Sequence, residues 1–342
     1  MVHLVTGGSG FLGNLIARRL LARGERVKIL DIWEDPSRPK DLEYIHCDIR
    51  DRDGVRRAMT GVTVVHHNVA LVPLTKSGDK FWEVNVVGSQ IAAEEAVKAG
   101  VQSFIHMSSS AIFGAPKHCP ITDATPTEPI EIYGRGKLAG EVAVKDICAK
   151  AKLPLIIIRP RTILGEGRLG IFQILFDWIH SGRNVYVIGS GNGGFQFIHA
   201  ADLMDAYMLA LEKGKPGTYN VGTDRFGTLR EGLEHLVEYA GSKSKVRSLP
   251  EKASIMSLQL LDRMGLSPLA PWHYLTYSKP FFFDMKPLLD LGWKAKYSND
   301  EMFRESYDWF LANRDKPKTS EGGSPHRSPV QEKVLGLVRR FS

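Results

Sequence analysis

The sequence has few cysteines and no long apolar run. Its three cysteines, Cys47, Cys119 and Cys148, are scattered along 342 residues. This excludes a disulfide framework and a CxxC metal pair, and it suits a reducing compartment. No run reaches the roughly 18 apolar residues that read as a membrane-spanning helix. No charged leader with an apolar core precedes Val2, so we expect a cytoplasmic protein without a secretory signal.

Outside its C-terminal end, the chain also has little excess of positive charge. The chain has a net charge of +7, but residues 314–342 contain seven Lys or Arg and only three Asp or Glu. The rest of the chain is therefore close to neutral and offers no electrostatic case for a nucleic-acid partner. A composition with 43% hydrophobic and 24% charged residues is typical of a globular protein.

Short apolar runs alternate with helical patterns in the first half of the chain. The patterns predict strands at 2–6, 27–31, 62–66, 103–107 and 155–159, and helices at 12–23, 81–99 and 136–149. Such alternation indicates an α/β fold with a Rossmann-type, doubly wound parallel sheet. The second half is less regular, with predicted helices at 172–180, 202–212 and 228–240 and strands at 185–188 and 217–221.

Three glycines directly follow the first predicted strand and open the first predicted helix. The spacing of Gly7, Gly10 and Gly13 suits a tight turn and a close approach of the backbone to a pyrophosphate at a helix N-terminus. Asp31 ends the second strand, where a carboxylate accepts hydrogen bonds from an adenosine ribose and repels a 2′-phosphate. These features predict NAD as the cofactor. No P-loop Lys-Ser/Thr pair follows Gly13, and no metal is expected.

A serine cluster and a YxxxK pair suit hydride transfer at a carbinol carbon. The cluster 108–110 follows the strand at 103–107, and Tyr133 precedes Lys137 by one helical turn. A tyrosine exchanges the hydroxyl proton if its pKa is lowered, and a nearby lysine supplies positive charge for this. A serine hydroxyl orients the same substrate oxygen.

Together these segments resemble an extended short-chain dehydrogenase/reductase of the NAD-dependent epimerase/dehydratase family, either of its sugar branch or of its 3β-hydroxysteroid dehydrogenase-like branch. The resemblance implies that Ser109, Tyr133 and Lys137 are catalytic. It also implies a homodimer formed through the helices at 81–99 and 136–149. The cofactor contacts that it implies come from Gly7, Gly10, Phe11, Leu12, Gly13, Asp31, Asp48, Ile49, Asn68, Val69, Ala70, Asn85, Lys137 and Pro160.

The substrate side carries fewer family features. The resemblance makes Ser108, Arg161 and Thr162 candidates, although many nucleotide-sugar enzymes have Asn where Thr162 stands. The Arg that grips a nucleotide diphosphate in those enzymes would lie near Phe195 and is absent, and Phe cannot replace its charge-assisted bonds. Other positions could supply that charge, namely Arg161, Arg168 or Lys279. We expect His199 to be structural, and the aromatic-rich segment 271–283 to pack in the core or line an apolar pocket.

The predicted domain organisation is discontinuous. Residues 1–165 and 196–222 are expected to form the NAD-binding domain, and 166–195 and 223–315 a smaller C-terminal substrate domain. Residues 316–342 are expected to form a flexible linker and a basic amphipathic helix, which could place the protein peripherally on the inner face of a membrane through 330–342.

Three functions are compatible with these residues. The leading one is an NAD-dependent sugar epimerase/dehydratase-like enzyme acting on a nucleotide- or polyprenyl-diphosphate-linked sugar. The second is a 3β-hydroxysteroid dehydrogenase-like oxidoreductase or ketoreductase acting on a lipidic alcohol or ketone. The third, a non-catalytic dinucleotide sensor, is disfavoured because the Ser109, Tyr133 and Lys137 set is intact.

Overall fold

The computed structural model describes residues 1–72, 80–213, 215–264, 267, 269 and 271–315. The first half of the chain folds into β1 (Val2–Thr6), α1 (Phe11–Leu21), β2 (Arg26–Asp31), β3 (Glu43–His46), α2 (Arg52–Ala58), β4 (Val64–His67), α3 (Lys80–Trp82), α4 (Gly88–Lys98), β5 (Ser103–Met107), α5 (Ile132–Ala151) and β6 (Leu155–Pro160). A π-helical turn, Glu83–Val87, joins α3 to α4, and a 3₁₀ turn, Ser110–Phe113, follows β5.

The second half folds into β7 (Thr162–Leu164), α6 (Phe172–His180), β8 (Val185–Ile188), β9 (Phe197–His199), α7 (Ala200–Lys213), β10 (Gly217–Val221), α8 (Leu229–Tyr239), β11 (Val246–Leu249), α9 (Glu251–Arg263), α10 (Pro271–Thr276), α11 (Lys286–Leu289) and α12 (Asn299–Asn313). The sequence patterns missed β3, α2, β7, β9, β11, α9, α10, α11 and α12. For β3 and α9 the reason is physical, because periodicity detects elements with a buried face and neither of these two contains a buried residue.

A seven-stranded parallel sheet forms the centre of the molecule and confirms the predicted Rossmann-type fold. Its strand order is β10-β6-β5-β4-β1-β2-β3, with the crossover between β1 and β4 that creates a ligand crevice at the carboxyl ends of the strands. Successive residues of a strand point to opposite faces. Accordingly, Leu4 and Leu30 belong to one apolar cluster, whereas Val5 and Ile29 belong to the cluster on the other face.

The cluster that contains Val5 and Ile29 continues from the sheet into the C-terminal half of the chain. It contains Phe172, Phe195, Phe197, Phe281 and Phe303, all nearly inaccessible to solvent. Two small parallel sheets, β7–β9 and β8–β11, accompany this aromatic core. Part of the aromatic-rich segment 271–283 thus packs in the core. The division of the chain into two domains stays a prediction.

The glycines of α5 are explained by close packing rather than by helix propensity. A Cβ added to Gly134 would lie 2.7 Å from the carbonyl oxygen of Ala111, and one added to Gly140 would overlap the carbonyl oxygen of Asn85. Glycine costs helix stability, yet here it lets α5 approach the backbone of its neighbours. This approach holds the first turn of α5 beside the end of β5.

In the described part of the chain, no helix is both long enough and apolar enough to cross a membrane. The predicted linker and amphipathic helix at 316–342 lie outside the described residues.

Candidate active site

The predicted glycine loop joins β1 to α1 and borders a large cavity at the carboxyl ends of the strands. Gly7 has a positive φ of 69°, and a Cβ there would lie 3.0 Å from the backbone nitrogen of Val69. A Cβ on Gly13 would overlap the carbonyl oxygen of Gly7. Gly10 is the N-cap of α1, so the free N–H groups of the first helical turn lie at the cavity. A dinucleotide phosphate fits this arrangement.

Two carboxylates border the same part of the cavity. The carboxylate of Asp31 accepts hydrogen bonds from the backbone N–H groups of Ser9, at 3.1 Å, and Trp33, at 3.3 Å. Burial raises the pKa of Asp31, although these two hydrogen bonds act to lower it. The carboxylate of Asp48 is held by Arg50, whose hydrogen bonds lower its pKa. A carboxylate at the end of β2 suits the ribose hydroxyls of NAD and opposes a 2′-phosphate.

The segment Asn68–Ala70 lies against the glycine loop and also borders the cavity. Asn85 stands behind it and does not face the cavity. Its side-chain oxygen accepts a hydrogen bond from the backbone N–H of Leu71 at 2.8 Å, and its amide nitrogen donates to the Leu71 carbonyl at 3.1 Å. Asn85 lies in the π-helical turn before α4 and is 2% exposed. Asn85 therefore supports the loop that borders the cavity, whereas the resemblance implied a direct cofactor contact.

Replacing Asn85 by alanine is expected to weaken NAD binding about tenfold, because two backbone groups of Leu71 lose their buried partners at a cost of about 1–3 kcal/mol. Isothermal titration calorimetry measures this change. Replacing Asn68 by alanine is the control for a residue that borders the cavity directly. An unchanged affinity for NAD in Asn85→Ala would contradict the positioning role.

Ser109, Tyr133 and Lys137 border the same cavity. Ser109 follows β5 as the N-cap of the 3₁₀ turn, and its hydroxyl is close enough to Tyr133 to lower the pKa of that phenol. Glu131 caps α5 by accepting hydrogen bonds from the N–H groups of Tyr133 and Gly134. Tyr133 is thus in the first turn of α5, with Lys137 one turn later. The Nζ of Lys137 donates to the carbonyl oxygen of Met107 at 2.6 Å.

The protonation states in this triad differ from the expected ones. Burial raises the pKa of Tyr133, and this outweighs the lowering by the Ser109 hydroxyl and the positive charge of Arg168. Burial also lowers the pKa of Lys137 to about 8. The sequence predicted a tyrosine pKa lowered by the lysine. In the structure, the protein environment keeps Tyr133 protonated at neutral pH, and Arg168 supplies the nearby positive charge.

Ser108 borders the cavity, but its hydroxyl is hydrogen-bonded within a buried ionic network. It donates to the carboxylate of Glu141 at 2.6 Å, and the same carboxylate is bound by Arg159 and Lys145. Burial by itself would raise the pKa of Glu141, but Arg159, Lys145 and Ser108 lower it to about 2. Ser108 therefore joins β5 to α5, which differs from the predicted role as a substrate contact.

Arg161 lies at the cavity wall within an aromatic cluster. Its guanidinium carbon is 3.9 Å from the ring centre of Phe281 and 4.9 Å from that of Phe195. Its Nε donates to the carbonyl oxygen of Gln196 and its Nη1 to the hydroxyl of Ser110. Its Nη2 has no hydrogen-bond partner among the described residues. Burial lowers the pKa of Arg161 to about 9, so an anionic ligand group would stabilise its charged form.

The three predicted sources of positive charge are not equivalent. Arg168 borders the cavity, and its guanidinium carbon lies 5.1 Å from the ring centre of Phe11, which follows Gly10 of the glycine loop. Lys279 is half-exposed and pairs with Glu251 at 2.7 Å, away from the cavity. Phe195 is buried against Arg161, so the guanidinium of Arg161 lies next to the position where the resemblance places the missing Arg.

The cavity has a volume of about 710 Å³, which suits a dinucleotide site that continues into a substrate site. Thr162 and Pro160 border it as predicted. His199 does not; it contacts Glu305 and stacks on Tyr297 with ring centres 3.7 Å apart. The aromatic-rich segment 271–283 contributes Trp272, His273 and Tyr277 to the wall, one of the two roles expected for it. Sequence reasoning missed Ile32 and Trp33, which follow β2, and Phe172, which begins α6, because they belong to no motif.

Comparisons with known proteins agree with this site. The family model "NAD dependent epimerase/dehydratase family" matches residues 3–222. An uncharacterized protein of Sinorhizobium fredii, y4nG, is 43% identical over 98% of this chain and 85% of its own length. UDP-arabinose 4-epimerase 1 of Arabidopsis thaliana is 27% identical over 91% and 80%. Sterol demethylase protein B of Methylococcus capsulatus is 29% identical over 74% and 78%.

Among solved structures, the UDP-glucose 4-epimerase of Thermus thermophilus in complex with NAD is similar to this chain. The TM-score is 0.72, with 26% identity over 92% of this chain and all of the other. The chain therefore belongs to the NAD-dependent epimerase/dehydratase family, a group of extended short-chain dehydrogenase/reductase enzymes.

Proposed function

We propose that this enzyme transfers hydride reversibly at a carbinol carbon of a nucleotide- or polyprenyl-diphosphate-linked sugar. The observation that carries the proposal is that Ser109, Tyr133 and Lys137 border the same cavity as the glycine loop, with the Ser109 hydroxyl close enough to lower the pKa of Tyr133. NAD supplies the hydride acceptor and donor when bound. The Ser109 hydroxyl orients the substrate oxygen, and the phenol of Tyr133 exchanges its proton.

Proton transfer in this proposal depends on the charges around Tyr133. The sugar hydroxyl loses its proton to Tyr133 only when the phenol is ionised, and burial opposes that ionisation. Arg168 and the Ser109 hydroxyl lower the phenol pKa, and so prepare Tyr133 to accept the proton. The protonated phenol then returns the proton when the keto group is reduced again, so that an epimerase cycle leaves Tyr133 unchanged.

Recognition of the substrate's anionic part is assigned to Arg161 and Arg168. Both line the cavity; Arg161 is buried and Arg168 half-buried, and burial lowers the pKa of each. A diphosphate would supply the negative charge that favours the protonated guanidinium. Thr162 and Tyr277 line the same cavity and offer further polar contacts to the substrate.

The test is a product analysis with the purified full-length enzyme. We expect UDP-glucose or UDP-arabinose, the substrates named for relatives, or a polyprenyl-diphosphate-linked sugar to be converted to an epimer or a dehydrated keto-sugar. Nuclear magnetic resonance identifies the product, and absorbance of the reduced nicotinamide reports net redox. A redox-neutral conversion supports the proposal. Accumulation of reduced nicotinamide in proportion to product would contradict it.

A second candidate is oxidation of a lipidic alcohol, because one relative is named sterol demethylase protein B and the cavity wall includes Trp272, Phe172 and Ile171. Sterol-like alcohols in the same assay distinguish it, since a dehydrogenase accumulates reduced nicotinamide. The charged wall formed by Arg161 and Arg168 favours the diphosphate-linked substrate.

We also propose that the enzyme is a homodimer formed through the helices at 81–99 and 136–149. Large apolar side chains are exposed there, with Trp82 51% and Val142 46% accessible. An apolar patch of this kind is typical of an interface between subunits.

A further inference from the structure

Helix α9 carries an apolar face that is open to solvent. Met256, Leu260 and Met264 are 69%, 60% and 60% exposed, and they recur every four residues. Residues at this spacing lie on one side of a helix. Among the residues that the structure describes, the other large exposed apolar side chains do not form such a stripe within one helix.

The opposite side of α9 is the one that packs against the protein. Leu258 and Leu261 lie there and are half-buried, and the helix contacts β8 and α10. A helix that is apolar on opposite sides is typical of one that is covered on both. Among the described residues nothing covers the face of Met256, Leu260 and Met264, and we call this the open face of α9.

Positive charges border the open face. Helical spacing places Lys252 at its beginning and Arg263 at its end. The segment just before α9 adds the exposed side chains of Lys243, Lys245 and Arg247. None of these five forms an ion pair with a described residue. The acidic residue at the start of α9, Glu251, already pairs with Lys279 at 2.7 Å.

The charge pattern discriminates between possible occupants. In a two-fold symmetric pair of open faces, the basic ends Lys252 and Arg263 would meet basic ends of the second copy, whether the helices run parallel or antiparallel. The C-terminal segment 330–342 is itself net positive, so charge also opposes its docking. Apolar side chains flanked by Lys and Arg without ion-pair partners instead suit a partner surface that has an apolar interior and anionic groups at its boundary with water.

We propose that the open face of α9 binds the surface of an anionic lipid bilayer. Met256, Leu260 and Met264 would enter the boundary between headgroups and acyl chains, while Lys252 and Arg263 remain at the headgroups. Because α9 packs against α10, and Trp272 and His273 of α10 line the cavity, binding would place the substrate site next to the membrane. The proposal does not depend on the identity of the substrate.

The experiment is cosedimentation of the full-length chain with vesicles of phosphatidylcholine, with and without phosphatidylglycerol. We expect the wild type to bind the anionic vesicles and to be released by salt. The double variant Met256→Ser/Leu260→Ser should bind them roughly tenfold more weakly. The matched control is Leu289→Ser/Leu311→Ser, which removes two leucines exposed elsewhere on the surface, at 38% and 36%, and should bind like the wild type.

A second variant, Lys252→Gln/Arg263→Gln, should reduce the preference for phosphatidylglycerol while leaving weak binding to neutral vesicles unchanged. Unchanged NAD affinity shows that each variant is folded. The proposal is overturned if the wild type does not sediment with anionic vesicles. It is also overturned if Met256→Ser/Leu260→Ser binds like the wild type, which would assign binding to another segment. A smaller oligomer in that variant, with vesicle binding unchanged, would make the open face a subunit interface instead.

Discussion

Turnover of the Tyr133→Phe enzyme is expected to fall roughly a thousandfold, within the range that loss of a general acid–base residue causes. Phenylalanine keeps the ring that packs at the cavity wall but removes the hydroxyl whose pKa Ser109 and Arg168 lower. The affinity for NAD should change little, because the glycine loop and Asp31 are untouched. Steady-state kinetics on the substrate identified by the product analysis, together with calorimetric titration of NAD, measure the two effects separately.

The matched control is Tyr277→Phe in the same cavity. Burial raises the pKa of this phenol too, and its hydroxyl contacts Thr162, so its loss should lower turnover less than about tenfold. Equal losses in the two variants would show that any buried phenol at this wall matters, and would remove the special role of Tyr133.

The pH dependence of the wild type follows from the same geometry. Since the pKa of Tyr133 is raised, the phenol is protonated at neutral pH and the fraction that can accept a proton grows as pH rises. Oxidation of the substrate hydroxyl should therefore accelerate with pH in the alkaline range. Single-turnover rates across pH would show this rise in the wild type and a flat profile in Tyr133→Phe.

NAD binding by the Gly13→Ala enzyme is expected to weaken about 10- to 100-fold, as an overpacking cost of about 1–3 kcal/mol implies. The added methyl group would overlap the carbonyl oxygen of Gly7, so the glycine loop or the start of α1 must move. Either movement displaces the N–H groups that face the phosphates. Calorimetric titration with NAD and the melting temperature measure the loss of affinity and of stability.

Gly136→Ala is the control for the effect of adding a methyl group to a glycine in a helix. At that position of α5 the nearest atom, the Cβ of Asn85, would be 3.6 Å away, which is an ordinary van der Waals contact. Its NAD affinity should stay within about twofold, because no atom of the glycine loop has to move. Normal NAD affinity in Gly13→Ala would mean that the loop has more room than the structure indicates.

The sequence predicted the cofactor half of the site better than the substrate half. Gly7, Gly10 and Gly13 lie within one strand–turn–helix unit, so their spacing along the chain already reflects their geometry. Tyr133 and Lys137 are likewise one helical turn apart. Arg161 is different, because its partners Phe195 and Phe281 are distant in sequence and no spacing links them. The substrate wall contains mostly residues of this second kind.

The glycines of α5 and the whole of α9 show two other limits of pattern reading. Gly134 and Gly140 lower helix propensity, but they lie so close to the backbone of Ala111 and Asn85, which are remote in sequence, that no side chain fits there. Helix α9 contains no buried residue, and its two apolar sides blur the single amphipathic stripe that periodicity detects.

By itself, the sequence determined the Rossmann-type fold, the family and NAD as the cofactor, because the glycine loop and the strand–helix alternation are legible over short stretches of chain. The catalytic roles of Ser109, Tyr133 and Lys137 stay a prediction. Only the tertiary structure decided how these groups are charged and what they contact. The pKa of Tyr133 is raised because burial outweighs Ser109 and Arg168. The hydroxyl of Ser108 donates a hydrogen bond to Glu141, which is 33 residues away in the sequence. Burial and long-range electrostatics arise only when distant segments pack together, and so they cannot be read from local spacing.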